Sequence, residues 1–215
     1  MISVLSALVL IISDILGEID ILEGVHEGPT NQYVLHTSDN CEIKPSFSNQ
    51  EVTANLFRNV CSSNGQDNRG CGFSDHDPNS YGHKLNVLGG GVFAHLWDCD
   101  GIKIWRFPRN AIPSDIQEKK PNPSAWGTPA ALFPSTNCDM ASHFYDHSLV
   151  LDTTICGDFA GVTYSNSGCP GTCAEAVANA TNYQSESSYG NHVQKLLTVL
   201  FSVRCEVEDK LYCRL

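Results

Sequence analysis

Three carboxylates stand close together at Glu18, Asp20 and Glu23, in the stretch GEIDILEG that is otherwise Ile, Leu and Gly. In an extended strand residues two apart face the same way, so Glu18 and Asp20 share a face and Leu22 takes the next position on it. A bulge adds one residue and returns Glu23 to that face, whereas a regular strand puts Glu23 on the opposite side. If all three share a face in a partly apolar cleft, their repulsion raises at least one pKa, as a general acid near neutral pH requires. Two glutamates about 5 to 5.5 Å apart around one sugar then form a retaining glycosidase pair, nucleophile and acid/base, with the Asp placed to hydrogen-bond the nucleophile. An exposed acidic strand edge or a cation site uses the same short pattern.

The elements that must position these groups read as β throughout. Turn-forming clusters such as HEGPT, TSDN, SSNGQDNRG, DHDPNSYG, LGGG, DCDG and NSGCPGTC break the chain at short intervals. Between them lie β-type runs, among them 32–37, 91–97, 101–107, 147–154 and 161–164. No helical period is sustained through the middle of the chain. This punctuation predicts an antiparallel sandwich or jelly roll. In GIKIWRF, Ile102, Ile104 and Arg106 alternate with Lys103, Trp105 and Phe107, which predicts a core strand with an amphipathic outer face.

Composition narrows the partners. The 215-residue chain carries 24 acidic and 13 basic residues, a formal charge of -11. An acidic surface without Lys/Arg clusters repels phosphate backbones and anionic lipid, so neither nucleic acid nor membrane is an expected partner. Ten dispersed cysteines read as disulfides of a secreted protein, and the Cys169/Cys173 spacing reads as a turn disulfide. The sequon at Asn179 agrees with secretion. The apolar run 2–12 has the length of a signal-peptide core but lacks a basic lead-in. Asp75, Asp77 and Asn79 open like a calcium loop, yet Ser80 and Asn86 stand where Gly and Glu are needed, so the segment reads as a polar loop.

GEIDILEGV followed by NQYVLHTSDNC resembles the signature of glycoside hydrolase family 16, specifically its fungal laminarinase-like endo-β-1,3(4)-glucanases. The stretches RGCGFSDHDPNSYGHKLNVLGGGVFAHLWDCDGIKIWRFPRNAIPSDI, PNPSAWGTPAALFPSTNCD, HFYDHSLVLDTTICGDFAG and SGCPGTC follow in the family order. The resemblance implies an all-β, concanavalin A-like β-jelly-roll sandwich with a glucan cleft on its concave face. It implies a bulge at Ile21 and Leu22, Glu18 as nucleophile, Asp20 as assisting carboxylate and Glu23 as acid/base. His36 stands where the family has a His near the leaving-group subsite, and Asn86, Trp97 and His143 are cleft or near-cleft positions by analogy. The implied reaction is double displacement on β-1,3 or mixed β-1,3/1,4 glucan, with no cofactor and no metal, by a secreted monomer.

The expected organisation is an apolar segment at 1–16 outside the family pattern, a partial catalytic domain at 17–183 that lacks the N-terminal strands, and a divergent tail at 184–215. The tail is compatible with either a short helix or a strand. Phe159 stands where the family has Trp. Two other outcomes remain open: an inactive remnant or lectin-like glucan binder, and a transglycosylase using the same carboxylates.

Overall fold

Short runs of branched and aromatic residues closed by Gly, Pro, Asn or Asp form strands, because the pleat accommodates branched side chains and the closing residues turn the chain. The computed structural model describes residues 8–11, 17–26, 28–44, 51–64, 66–145, 147, 149–153, 156–178 and 197–204. Its strands are β1 (Leu8–Ile11), β2 (Glu18–Glu23), β3 (Gln32–His36), β4 (Asn55–Arg58), β5 (Cys71–Ser74), β6 (Gly91–Asp98), β7 (Gly101–Pro108), β8 (Ala131–Pro134), β9 (Val150–Thr153) and β10 (Leu197–Arg204). The helices are short: α1 (Gly82–Val87), α2 (Ser114–Gln117), α3 (Met140–His143) and α4 (Cys173–Ala178). Among the described residues no helix is long and apolar enough to cross a membrane.

Two four-stranded sheets carry the fold. The first runs β2-β3-β5-β4 and is antiparallel throughout. The second runs β10-β6-β7-β8, antiparallel except where β10 lies parallel to β6. β1 pairs with β9, from Leu8 opposite Thr153 to Ile11 opposite Val150. Part of the apolar 1–16 segment is therefore a paired strand, and part of the 184–215 tail is the strand β10. The sequon at Asn179, Cys205 and Cys213 lie outside the described residues.

The inner faces of the sheets meet as a sandwich. Ile19, Ile21, Leu22, Tyr33, Leu35 and Phe73 from the first pack with Phe93, Ile102, Ile104, Ala131 and Phe133 from the second, all fully buried. Each such Ile, Leu or Phe side chain contributes roughly 1.5–3 kcal/mol relative to exposure. Arg106 shares this inner face and is held there by charge: its Nε donates to Asp75 Oδ2 at 3.1 Å and its Nη2 donates to Asp77. Tyr33 donates its hydroxyl to the same Asp75 oxygen at 2.8 Å. The DHDPN loop thus serves as the counter-charge of Arg106; against its own desolvation, the Asn79 N–H and then Arg106 hold the Asp77 carboxyl below its ordinary range.

Three expectations are corrected. The outer face of β7 keeps Lys103, paired with Asp98 at 3.2 Å, but its aromatic part is not a solvent face: Trp105 and Phe107 join Val92, Ala94, Leu96, Ile112, Ile116 and Trp126 in a second core beneath the 109–127 excursion. Trp105 is 4 % exposed, and its Nε1 donates to Gly127 O at 3.0 Å. Residues 161–164 are helical, not extended. Cys156 and Gly157 both take positive φ, and a helical turn at Gly157–Gly161 runs on into a second at Tyr164–Asn166. Finally, Cys173 bonds to Cys156 rather than to Cys169, because the reversed chain brings residue 156 beside the start of α4. The other disulfides described are Cys41–Cys138 and Cys61–Cys71.

Candidate active site

Strand β2 starts in register with β3 and then slips. Glu18 lies opposite His36 and Asp20 opposite Val34; after a register shift, Glu23 lies opposite Gln32. Ile21 and Leu22, the residues inside the shift, are both buried in the sandwich core. Two consecutive residues thus point inward, and Glu23 returns to the outward face of Glu18 and Asp20.

A bulge releases backbone groups from the ladder, and buried backbone groups need partners. Asn31 supplies them. Its Oδ1 accepts from the Glu23 N–H at 2.9 Å, and its Nδ2 donates to the Ile21 carbonyl at 3.0 Å. The Asn31 N–H in turn donates to Ser80 Oγ at 2.9 Å, and the residue is fully buried. Sequence reasoning passed over Asn31; the one available signal was an asparagine opening a β-type run just after a GPT turn. Glycine brackets the strand. At Gly17, with φ +103°, a Cβ would stand 2.3 Å from His143 O, and at Gly24 it would stand 2.5 Å from the Tyr81 ring.

Burial, then Glu23 and Glu18, push the Asp20 carboxyl well above its ordinary range. Burial, then Glu18, raise Glu23 from 4.5 to about 7. His36 Nε2 lies 3.3 Å from Asp20 Oδ2, and its Nδ1 lies 2.8 Å from Ser63 Oγ. Burial lowers the His36 pKa. Desolvation opposes charge on both partners and so weakens any ion pair between Asp20 and His36. Neither Asp20 oxygen makes a well-formed hydrogen bond among the described residues.

The structure brings together Glu18, Asp20, Glu23 and His36. Trp97 meets Phe144 edge-on at 6.1 Å and His147 at 5.9 Å between ring centroids. His143, at the end of α3, pairs its Nδ1 with Ser38 Oγ at 2.9 Å. Phe144 and the His143 carbonyl press on Gly17, so these residues brace the start of β2. Asn86 lies on α1, its Oδ1 buried without a hydrogen-bond partner among the described residues. Phe159 belongs to the segment whose Thr163 hydroxyl meets His26 Nε2 at 3.0 Å, just past Glu23. Donor atoms of Glu18, Asp20 and His36 lie within 4.8 Å of one another, close enough to hold a cation together. Cys41, Cys138 and His143 are as close, but the two sulfurs are bonded to each other.

A two-sheet sandwich with coupled carboxylates on the outward face of one sheet defines a jelly roll with a glycosidase-type constellation. The chain belongs to glycoside hydrolase family 16: residues 14–193 match the family model of the XgeA-like, catalytic GH16 domain. It is 43% identical over 167 residues to a probable glycosidase of Schizosaccharomyces pombe, covering 76% of this chain and 39% of that protein. It is 36% identical over 172 residues to the endo-1,3(4)-β-glucanase xgeA of Emericella nidulans, covering 80% of this chain and 26% of that one. The chain therefore spans well under half the length of these curated relatives. Among solved structures, an elongating GH family 16 β-1,3-glucosyltransferase aligns with TM-score 0.72 and 38% identity, over 83% of this chain and 61% of that one. Laminarinase 16A from Phanerochaete chrysosporium, with 6-O-glucosyl-laminaritriose in donor and acceptor sites, aligns with TM-score 0.68 and 36% identity, over 82% and 63%.

Proposed function

We propose that the chain is a retaining, endo-acting glycosidase on β-1,3 or mixed β-1,3/1,4 glucan. The observation that carries this reading is the bulge, which sets Glu23, with a pKa of about 7, on one face with Glu18 and Asp20. The Glu18 carboxylate attacks the anomeric carbon while Glu23 donates its proton to the departing glycosidic oxygen. Glu23, now ionised, takes a proton from water, and that water displaces Glu18 with net retention. Asp20 lies between Glu18 and His36, and burial, which disfavours its charged form, suits it to share a proton with Glu18. The substrate class is supported by what the relatives are named for, and the disulfides suit an oxidising compartment.

The test is incubation of the purified chain with laminarin and lichenan, following new reducing ends and their anomeric form by proton NMR. The β-anomer appearing first supports the proposal; no new ends, or the α-anomer first, rejects it. A glucosyltransferase among the structural neighbours favours one second reading, transfer to a sugar acceptor in place of water. Products longer than the substrate, when acceptor oligosaccharide is added, would identify it.

A further inference from the structure

The sheet that holds the carboxylates carries a second bulge, on its opposite outer strand. Between Leu56 and Arg58 the register of β4 on β5 slips, leaving Phe57 as the extra residue. Leu56 packs against the sandwich core while Asn55 and Phe57 are exposed, so Phe57 lies on the outward face, the face of Glu18, Asp20 and Glu23. The pairing connects the two strands directly: Asp20 lies opposite Val34, and Val34 opposite Gly72. The Phe57 ring rests over Gly72, where a Cβ would stand 2.9 Å from Cζ and 3.1 Å from Cε1. Glycine at 72 thus lets the ring settle on the sheet, an aromatic covering a bare strand backbone. Even so, Phe57 remains 47 % exposed.

We propose that Phe57 is a stacking platform for a glucosyl ring of the bound β-glucan, a subsite at the far edge of the same sheet face. The inference rests on the proposed function and extends it. A β-linked glucose presents axial C–H groups on its ring faces and hydroxyls around its rim, so an aromatic side chain recognises it by apolar contact with a ring face. Two interstrand spacings of about 4.8 Å place Gly72, beneath the Phe57 ring, roughly 10 Å from β2, with β4 one spacing beyond. A glucan crossing the strands from the carboxylates therefore meets Phe57 several sugars from the scissile bond. Between them Gly72 has no side chain, Val34 is covered by its neighbours, and Ser74 Oγ is engaged by Thr30 Oγ1 at 3.3 Å, so no long side chain from these three positions stands in the way. An exposed ring at this place selects for chain length without touching the reacting atoms.

The test compares the parent protein with Phe57→Ala and Phe57→Tyr on laminarin and on a laminari-oligosaccharide just long enough to span the scissile bond. Mobility in a laminarin-containing native gel provides a readout that needs no turnover. Phe57→Ala is expected to lower the ratio of kcat/KM on polymer to kcat/KM on the short substrate about tenfold, chiefly through KM, and to weaken retention in the gel. Phe57→Tyr restores both. Equal ratios and equal retention overturn the inference and leave the glucanase reading standing. A loss of the same size on both substrates makes Phe57 a mere support for Gly72 and also overturns it. A parent that neither cleaves laminarin nor is retained by it overturns both readings.

Discussion

At Asp20–Glu23 a slipped register turns a carboxylate, and at Leu56–Arg58 an aromatic ring, onto the same face of one sheet. The first bulge is built from within. Its freed backbone groups are taken up by a buried asparagine, its two extra side chains fill the core, and glycines at either end admit no larger residue. Among the described residues the second has no such buried asparagine, and its redirected side chain stands half in water over a glycine. The difference is one of demand. A proton donor must be desolvated and held within tenths of an ångström, whereas a recognition surface needs only an open apolar face.

Breaking the first bulge should therefore cost far more than breaking the second. Glu23→Gln, which keeps shape and removes the proton, should lower kcat/KM on laminarin about 10²- to 10⁴-fold, measured by reducing-end release. Asn31→Ala leaves the Glu23 N–H and the Ile21 carbonyl without partners. It should lower kcat roughly tenfold or more with a smaller change in KM, and cost about 2–3 kcal/mol in urea unfolding. If kcat held while only stability fell, Asn31 would be structural and not a positioning residue.

The pH dependence follows from the first bulge alone. Glu23 takes a raised pKa in the folded state, so its contribution to stability is full below its ordinary value of 4.5 and is lost as pH rises through about 7. Its proposed use as an acid fails over the same upper range. The alkaline limb of kcat/KM should have a midpoint near 7, and the Glu23→Gln variant should lack it. A smaller effect is expected from cation removal. Although Glu18, Asp20 and His36 could share an ion, the proposed steps need none, so EDTA should leave the laminarin rate essentially where it was. A loss reversed by calcium or zinc would convert this strand into a metal site.

Spacing alone left Glu23 on either face and suited an acidic edge or a cation site equally; the first bulge was legible through the family resemblance, and the register shift between Asp20 and Glu23 agrees with it. The sandwich was legible too, from turn residues closing short branched runs. Its register was not. Asn31 lies across a turn from the groups it binds, and no local pattern marks an asparagine that will be buried. β4, β5 and β8 are four residues each, too short for alternation to stand out. Residues 161–164 looked extended because Gly-Val-Thr-Tyr has β composition, but two positive-φ residues at 156 and 157 and the Cys156–Cys173 bond overrode that preference. Trp105 reads as surface when β7 is taken by alternation alone, since the excursion that covers it comes later in the chain. Trp97, His143 and Asn86 came from analogy, and the first two brace Gly17 through Phe144 at the mouth of β2.

The central claim is that the bulge at Ile21 and Leu22 makes Glu23 a neutral-pH acid by burying it beside Glu18. Titration of the Glu23 side-chain carboxyl by carbon-detected NMR, assigned by comparison with Glu23→Gln, measures this without requiring turnover. The expected midpoint is about 7. A midpoint near the ordinary 4.5 would contradict the account.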